Sequence, residues 1–283
     1  MLQCRLEHSD YINAAIFLND DFMFAVSENG FLYMFDIQDM LMKDHHNENG
    51  YTNIKYEPSI LYDATLESDS FFTLCSCENK LFISGANGNI FVFDLSDFEK
   101  SESVKLINKI DLSTQHISSL AYDPISDVLC ASDESYIYFI DKNHNLTIKI
   151  SIRTSNIKFS NKLGFVIASN DNSIHIVNSS GDIIEEIIDI QFEQHPLSNI
   201  HVNDLYVTSL DLLDDRYLIL GTNKPSILMY DLELKTVVNE KFLDPHLTST
   251  FNSSVYDLSV FQDQFVICRS KLNHFGIWQI IKF

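Results

Sequence analysis

Residues 81–95 read LFISGANGNIFVFDL. Two apolar runs, 81–84 and 90–93, flank Ala86-Asn87-Gly88, and Asp94 closes the second run. Asn-Gly supplies the positive φ angles that a tight hairpin needs, so the stretch predicts two strands joined by a short turn. The runs are continuous, not alternating, which suits inner strands covered on both faces. Residues 22–37 (FMFAVSENGFLYMFDI) say the same thing again. Equivalent strand ends recur at Phe35-Asp36, Phe93-Asp94, Ile140-Asp141, Val177-Asn178, Tyr230-Asp231 and Trp278-Gln279. A strand triplet returning every few tens of residues marks a quasi-symmetric β array. Unequal intervals follow when loops vary on a fixed strand scaffold.

Working outward, a first strand precedes each doublet, at 12–18, 70–76, 117–123, 156–160, 207–213 and 255–261. A fourth strand follows five of the units, at 59–68, 104–112, 146–153, 183–192 and 237–243. The sixth unit stops four residues after Gln279, while residues 2–8 form an unassigned strand-like segment at the other end. The expectation is therefore an all-β ring of six four-stranded sheets, the last completed by the N-terminal strand, which removes a vulnerable edge. Residues 1–283 are read as one domain, with polar insertions at about 38–58 and 193–205. Only eight glycines are present, so Asn and Asp are expected to stand in at the turns.

Composition narrows the function classes. The chain carries 40 acidic against 19 basic residues, a net charge of −21. That opposes direct nucleic-acid binding, which needs cations to displace phosphate counterions, and attraction to anionic membranes. No run of eighteen apolar residues appears, and the N-terminus lacks the apolar stretch of a signal peptide. The expected location is intracellular, cytoplasmic or nuclear. The five cysteines are scattered and odd in number, which reads as buried thiols in a reducing compartment.

The six units resemble the WD-repeat β-propeller family. The best match is 84–95 (SGANGNIFVFDL), with weaker ones at 27–37, 132–141, 169–178, 221–232 and 269–280. The resemblance implies a propeller of six blades and a role as a non-catalytic scaffold or adaptor subunit of a multiprotein complex. It also allows a strand donated by a partner to seal the ring, as in some coat and nuclear-pore subunits. The family's Gly-His dipeptide is absent, with His8 and His116 near its place, and its turn Asp is mostly lost. The family's Asp–His–Ser–Trp network therefore cannot form intact, and apolar packing between sheets is expected to carry more of the load.

No metalloprotease, nucleophile-elbow or phosphate-loop signature occurs, and the ten histidines are dispersed. No catalytic residue, metal or cofactor is assigned. Some propellers of other families hold an axial metal on carboxylates repeated before each first strand. Here that position reads Tyr11, Asp69, His116, Ser155, Tyr206 and Ser254, with one acid among six. The same position lines the narrow face of WD-repeat rings, so Tyr11, Asp69, His116, Tyr206 and Ser254 are candidate partner-binding residues, of types that serve in binding hot spots or pair with polar ligands. His116 is also read as a blade-stabilising hydrogen-bonding group. The partners expected are proteins. Two other readings stay open: an acidic escort or reader of a basic protein such as a histone or ribosomal protein, and a propeller enzyme with an axial metal.

Overall fold

The structure, a computed structural model, describes residues 4–7, 10–42, 46–48, 51–65, 69–77, 79–169, 171–187, 206–223, 226–242, 255–261, 265–272 and 275–282. The apolar runs become second and third strands because their side chains are covered on both faces. In residues Lys80–Gly85 and Asn89–Asp94 only the first residue, and the closing Asp94, are partly exposed.

In chain order the elements begin with β1 (Cys4–Glu7), β2 (Ile12–Phe17), β3 (Phe22–Ser27), β4 (Phe31–Asp36), α1 (Ile37–Met42), β5 (His46–Glu48), β6 (Tyr51–Lys55) and β7 (Ser59–Asp63). The next blade holds β8 (Phe71–Cys77), β9 (Lys80–Gly85), β10 (Asn89–Asp94), α2 (Phe98–Ser101) and β11 (Lys105–Asp111). Then follow β12 (Ser119–Asp123), β13 (Val128–Ser132), β14 (Ile137–Ile140), β15 (Leu146–Ile150), and β16 (Thr154–Ser160), β17 (Gly164–Ser169), β18 (Ile174–Val177), β19 (Ile183–Ile187). The chain continues through β20 (Val207–Leu213), β21 (Tyr217–Thr222), β22 (Ser226–Asp231) and β23 (Thr236–Phe242) to β24 (Val255–Phe261), β25 (Phe265–Leu272) and β26 (Phe275–Lys282).

Five four-stranded antiparallel blades result: β2-β3-β4-β7, β8-β9-β10-β11, β12-β13-β14-β15, β16-β17-β18-β19 and β20-β21-β22-β23. This corrects the expectation of six such blades. The remaining strands form one six-stranded sheet, ordered β24-β25-β26-β1-β6-β5. The N-terminal strand β1 does pair with β26, Leu6 opposite Trp278, but it is not the outer strand that finishes a four-stranded blade. Its other side carries β6 in parallel, Leu6 opposite Ile54, and β5 lies beyond. The physical reason lies in the first insertion, 38–58. It contributes α1, β5 and β6, and its hairpin satisfies backbone groups that a terminal β1 would leave open. The second insertion, 193–205, lies outside the described residues.

The first strands β2, β8, β12, β16, β20 and β24 stand side by side around an axis, with β24 returning to β2. The core is accordingly a set of layers between sheets. Phe24, Leu32, Phe71, Phe91 and Phe93 fill the layer between the first two blades. Phe82, Val92, Ile117 and Leu129 fill the next, and Cys130, Phe139, Phe165 and Ile167 the one after. Leu210, Leu218, Leu220 and Leu228 meet Val166 and Ile174 farther round.

The Asp or Asn ending each third strand has a physical task. Its side-chain oxygen turns back to cap the N–H groups of the next loop and so stops the strand. Asp94 accepts from Ser96 N–H (2.9 Å), Asp141 from Asn143 and Asn145 (2.9 and 2.8 Å), Asn178 from Ser180 and Asp182 (3.0 and 2.9 Å), and Asp231 from Glu233 and Leu234 (2.8 and 3.0 Å). At the opposite turn Gly30 and Gly88 take φ of +82° and +78°, and a Cβ there would lie 2.4 Å from the Asp69 carbonyl oxygen and 2.0 Å from that of Ser113. Asn172 stands in for glycine at φ +68°. In the third blade Asp133 uses its carboxylate to hold the N–H groups of Ser135 and Tyr136 (both 2.8 Å).

Candidate functional site

Each first strand starts beside the turn joining the second and third strands of its own blade. The carbonyls of Tyr11, Ser70 and Tyr206 accept the N–H of Glu28, Ala86 and Asn223 (2.8, 2.8 and 3.0 Å). These bonds fix which residues are equivalent. Ser70 lies level with Tyr11 and Tyr206, and the pairing of Thr154 with Ser169 sets Arg153 at the same level. Register shifts interrupt five of the first strands just after their start, and the strand pairing places the equivalents of Tyr11 at Ser70 and Arg153, one and two residues from Asp69 and Ser155.

Tyr11 is half-buried and Tyr206 is 44% exposed. His116 lies flat against Phe72 of the preceding blade, ring centroids 4.9 Å apart and 29° between planes, so it joins two blades by stacking. Asp69 is buried, and its carboxylate accepts from Ser70 N–H (3.0 Å), Asn87 N–H (3.4 Å) and Asn89 Nδ2 (3.3 Å). Ser254 lies outside the described residues. The structure thus brings His116 against Phe72 and turns Asp69 inward under its own loop.

The sequence concealed a recurring polar fastener. Three residues before the strand-ending Asp or Asn stand Tyr33, Phe91, Tyr138 and His175. Asp10 accepts the Tyr33 hydroxyl (3.0 Å) and Asn29 Nδ2 (2.5 Å). Asp133 accepts the Tyr138 and Ser113 hydroxyls (2.5 and 2.9 Å). Asp171 accepts the Ser173 hydroxyl (2.6 Å), which in turn meets His175 Nε2 (2.8 Å). Polar networks thus join apolar layers in holding the blades. Burial pushes the Tyr33 and Tyr138 phenols up, and the neighbouring carboxylates, Asp10 and Asp133, push the same way. Burial alone would push the Asp133 carboxyl up as well. The Tyr138 hydroxyl, Ser135 N–H, Ser113 hydroxyl and Tyr136 N–H outweigh it and hold the group below the usual range.

Exposed carboxylates occur at both ends of the ring. At the end bearing the first-strand starts, Glu28, Asp63, Asp111, Glu134 and Asp171 are exposed, and among the described residues none pairs with a lysine or arginine. Among the described residues the cations near that end include Arg153, exposed, and Lys149 and Lys109, whose Nζ atoms lie 3.7 Å from the Tyr136 ring centre and 4.5 Å from that of Phe91. At the opposite end Lys80–Asp127 (3.4 Å), Arg216–Asp231 (2.7 Å) and Arg216–Glu233 (3.3 Å) are paired, while Asp20, Asp97 and Asp214 are exposed there and, among the described residues, pair with no lysine or arginine.

The axis opens into a cavity of about 390 Å³ at that opposite end, walled by Ile16, Cys75, Ala121, Lys158, Asp215 and Ser259 among others. Lys158 Nζ reaches Asp211 Oδ1 (3.6 Å) and the Leu258 carbonyl (3.4 Å), tying three first strands together. The Cys75 thiol is pushed up to about 12, by burial first; Lys158 lowers it and Cys77 raises it. Cys130 is raised by burial too. A thiol reacts as its thiolate, so both are poor nucleophiles in the folded state; Cys130 is buried, while Cys75 is half-buried at the cavity wall. Iodoacetamide at pH 8 should label Cys75 slowly and leave Cys130 unmodified in native protein, and label both after denaturation, read by peptide mass spectrometry. Rapid native labelling of Cys130 would show that the layer between the third and fourth blades opens. Among the described residues no group of three or more His, Cys, Asp or Glu could hold a metal ion, and no helix is long and apolar enough to cross a membrane.

Known proteins resemble this chain in shape. A mitotic checkpoint complex structure contains a chain that superimposes with a TM-score of 0.60 at 13% identity, over 98% of this chain and 77% of that one. The computationally designed Ika8 protein superimposes with a TM-score of 0.55 at 14% identity, over 96% and 72%. The fold is a β-propeller. No family model matches this propeller's sequence, and no curated protein matches it by sequence either.

Proposed function

We propose that this chain is a diverged WD-repeat propeller, a single domain acting as a non-catalytic scaffold or adaptor subunit in an intracellular multiprotein complex. The observation that carries this reading is how the recurring carboxylates are used. Asp69 and Asp133 bind N–H groups of turns at one end of the ring, and Asp94, Asp141 and Asp231 those of loops at the other, so the repeated chemistry builds turns at both ends. Tyr11, His116 and Tyr206, with Arg153 beside them, line the mouth of the ring and supply amphipathic docking groups. Asp69 supports that rim from beneath. The test is size-exclusion of native extract followed by affinity capture on the tagged chain. Elution well above 32.6 kDa with captured partners is expected; a lone monomer would remove the reading.

A second reading is favoured by the net charge of −21 and the exposed carboxylates of the rim: the rim engages a basic protein segment. Exposed charges are screened within about 8 Å at physiological ionic strength. Binding of a basic partner should therefore weaken about tenfold or more between 50 and 300 mM salt. Salt-insensitive association would exclude this second reading and leave the first.

A further inference from the structure

Asn-Gly occurs three times in the chain, at 29–30, 49–50 and 87–88. Residues 49–50 lie outside the described residues. The other two pairs sit in equivalent turns, between the second and third strands of the first and second blades. The dipeptide that shapes these turns is also chemically labile. Glycine has no Cβ to shield its amide nitrogen or to restrict the chain. That nitrogen attacks the side-chain carbon Cγ of the preceding Asn. A C–N bond forms, the glycine N–H proton passes to solvent, and the side-chain nitrogen leaves as ammonia. Water then opens the five-membered imide at either carbonyl. One opening gives Asp. The other gives isoaspartate, in which the main chain runs through Cβ and a carboxylate hangs from Cα.

The structure treats the two turns differently. Asn29 Nδ2 donates to Asp10 Oδ1 at 2.5 Å, and buried Asp10 also holds the Tyr33 hydroxyl. Cγ of Asn29 cannot swing over the Gly30 nitrogen until this bond breaks, and bonds to an ionised acceptor are roughly twice as strong as neutral ones. The Asp10 carboxylate also opposes the negative charge that must develop on the attacking nitrogen. Asn87 is exposed, and its side chain makes no hydrogen bond among the described residues. The Gly88 N–H reaches the Gly85 carbonyl at 3.3 Å, against 3.1 Å from Gly30 to Ser27. That is past the usual limit of about 3.2 Å, so the attacking nitrogen is weakly held.

We propose that Asn87 is a deamidation site on the rim of the second blade, and that Asp10 protects Asn29 in the equivalent turn of the first. The new carboxylate adds to a net charge of −21 and stands beside Asp69, which accepts the Asn87 N–H at 3.4 Å. Isoaspartate is the more disruptive product. The Gly88 carbonyl accepts the N–H groups of Leu112 and Ser113 (3.1 and 3.2 Å), and a Cβ on Gly88 would lie 2.0 Å from the Ser113 carbonyl oxygen. The turn is thus clamped against the chain leaving β11. An extra backbone methylene has no room there and loosens the hairpin. Ageing of the protein therefore changes charge and shape at one place on the rim.

The test holds the full native chain at pH 8 for two weeks beside a sample unfolded in urea, and maps the digested peptides of both by mass spectrometry. In the native chain Asn87 should convert several-fold faster than Asn29, yielding both Asp and isoaspartate. In urea each Asn has only its glycine neighbour, and the two rates should converge. Asn87→Gln should remove the early acidic fraction seen on anion exchange, because Gln must close a six-membered imide and does so far more slowly. Asn87 is exposed, so this variant should keep the parent melting temperature. Equal native rates at Asn29 and Asn87 would overturn the proposal. So would a native Asn87 that stays intact while the unfolded chain deamidates, or an acidic fraction that persists in Asn87→Gln.

Discussion

Phe91→Ala should lower the free energy of unfolding by about 3–5 kcal/mol, the usual cost of deleting a fully buried phenyl ring. Phe91 is 0% exposed in the layer between the first and second blades. Its ring meets Phe71 edge-on at 5.2 Å and Tyr62 at 6.4 Å, and Lys109 Nζ lies 4.5 Å from its centre on the strand outside. Truncation removes hydrophobic transfer energy, aromatic edge contacts and a cation–π contact together. The two sheets cannot close the gap without breaking the hydrogen bonds that set their own spacing, so a cavity remains. Urea unfolding at constant m-value is the measurement. A loss below about 1 kcal/mol would mean that the blades slide together, and that the layer is softer than its burial indicates.

Asp133→Ala should cost about 2–4 kcal/mol, from hydrogen bonds to a charged group worth about 1.5–3 kcal/mol each and partly recovered by water. Four donors lose their acceptor: the N–H groups of Ser135 and Tyr136, and the hydroxyls of Ser113 and Tyr138. Asp133→Asn, which keeps an acceptor oxygen, should cost less. The pH dependence follows from the direction of the shift. A carboxyl held low in the folded state contributes stability that is present above its unfolded value, 3.8 for this residue type, and is lost as pH falls through the folded value. Unfolding midpoints between pH 6 and 2 should therefore fall more steeply for the parent than for Asp133→Ala. Parallel curves would mean that Asp133 carries no linked proton. Asp123 and Asp171, also held low by hydroxyl and backbone donors, should add to the same acid sensitivity.

These two residues mark different layers of legibility. Phe91 was readable: continuous apolar runs such as IFVF have no polar face, so a strand made of them must be covered twice. The strand-ending Asp was readable too, because an Asx turn is local and needs only the next few N–H groups. The Tyr33–Asp10 and Tyr138–Asp133 fasteners were not. Their partners lie 23 and 5 residues apart, and nothing in the composition of either residue announces the pairing. The equivalence of Arg153 and Ser70 with Tyr11 was also hidden, because it is set by where each first strand pairs with its second strand, which counting along the sequence does not reveal.

What the sequence by itself determined is the repeating strand triplet, its turn chemistry and the excess of acid, since each depends on neighbours within about ten residues or on simple totals. Tertiary structure alone decided that five blades are four-stranded and that the remaining strands merge with β1, β6 and β5 into a single wider sheet. It also decided which carboxylates meet a cation, Asp127 with Lys80 and Asp231 with Arg216 among them. Strand partners across a sheet edge, and charges on different loops, meet only through contacts far apart along the chain, where local pattern carries no register.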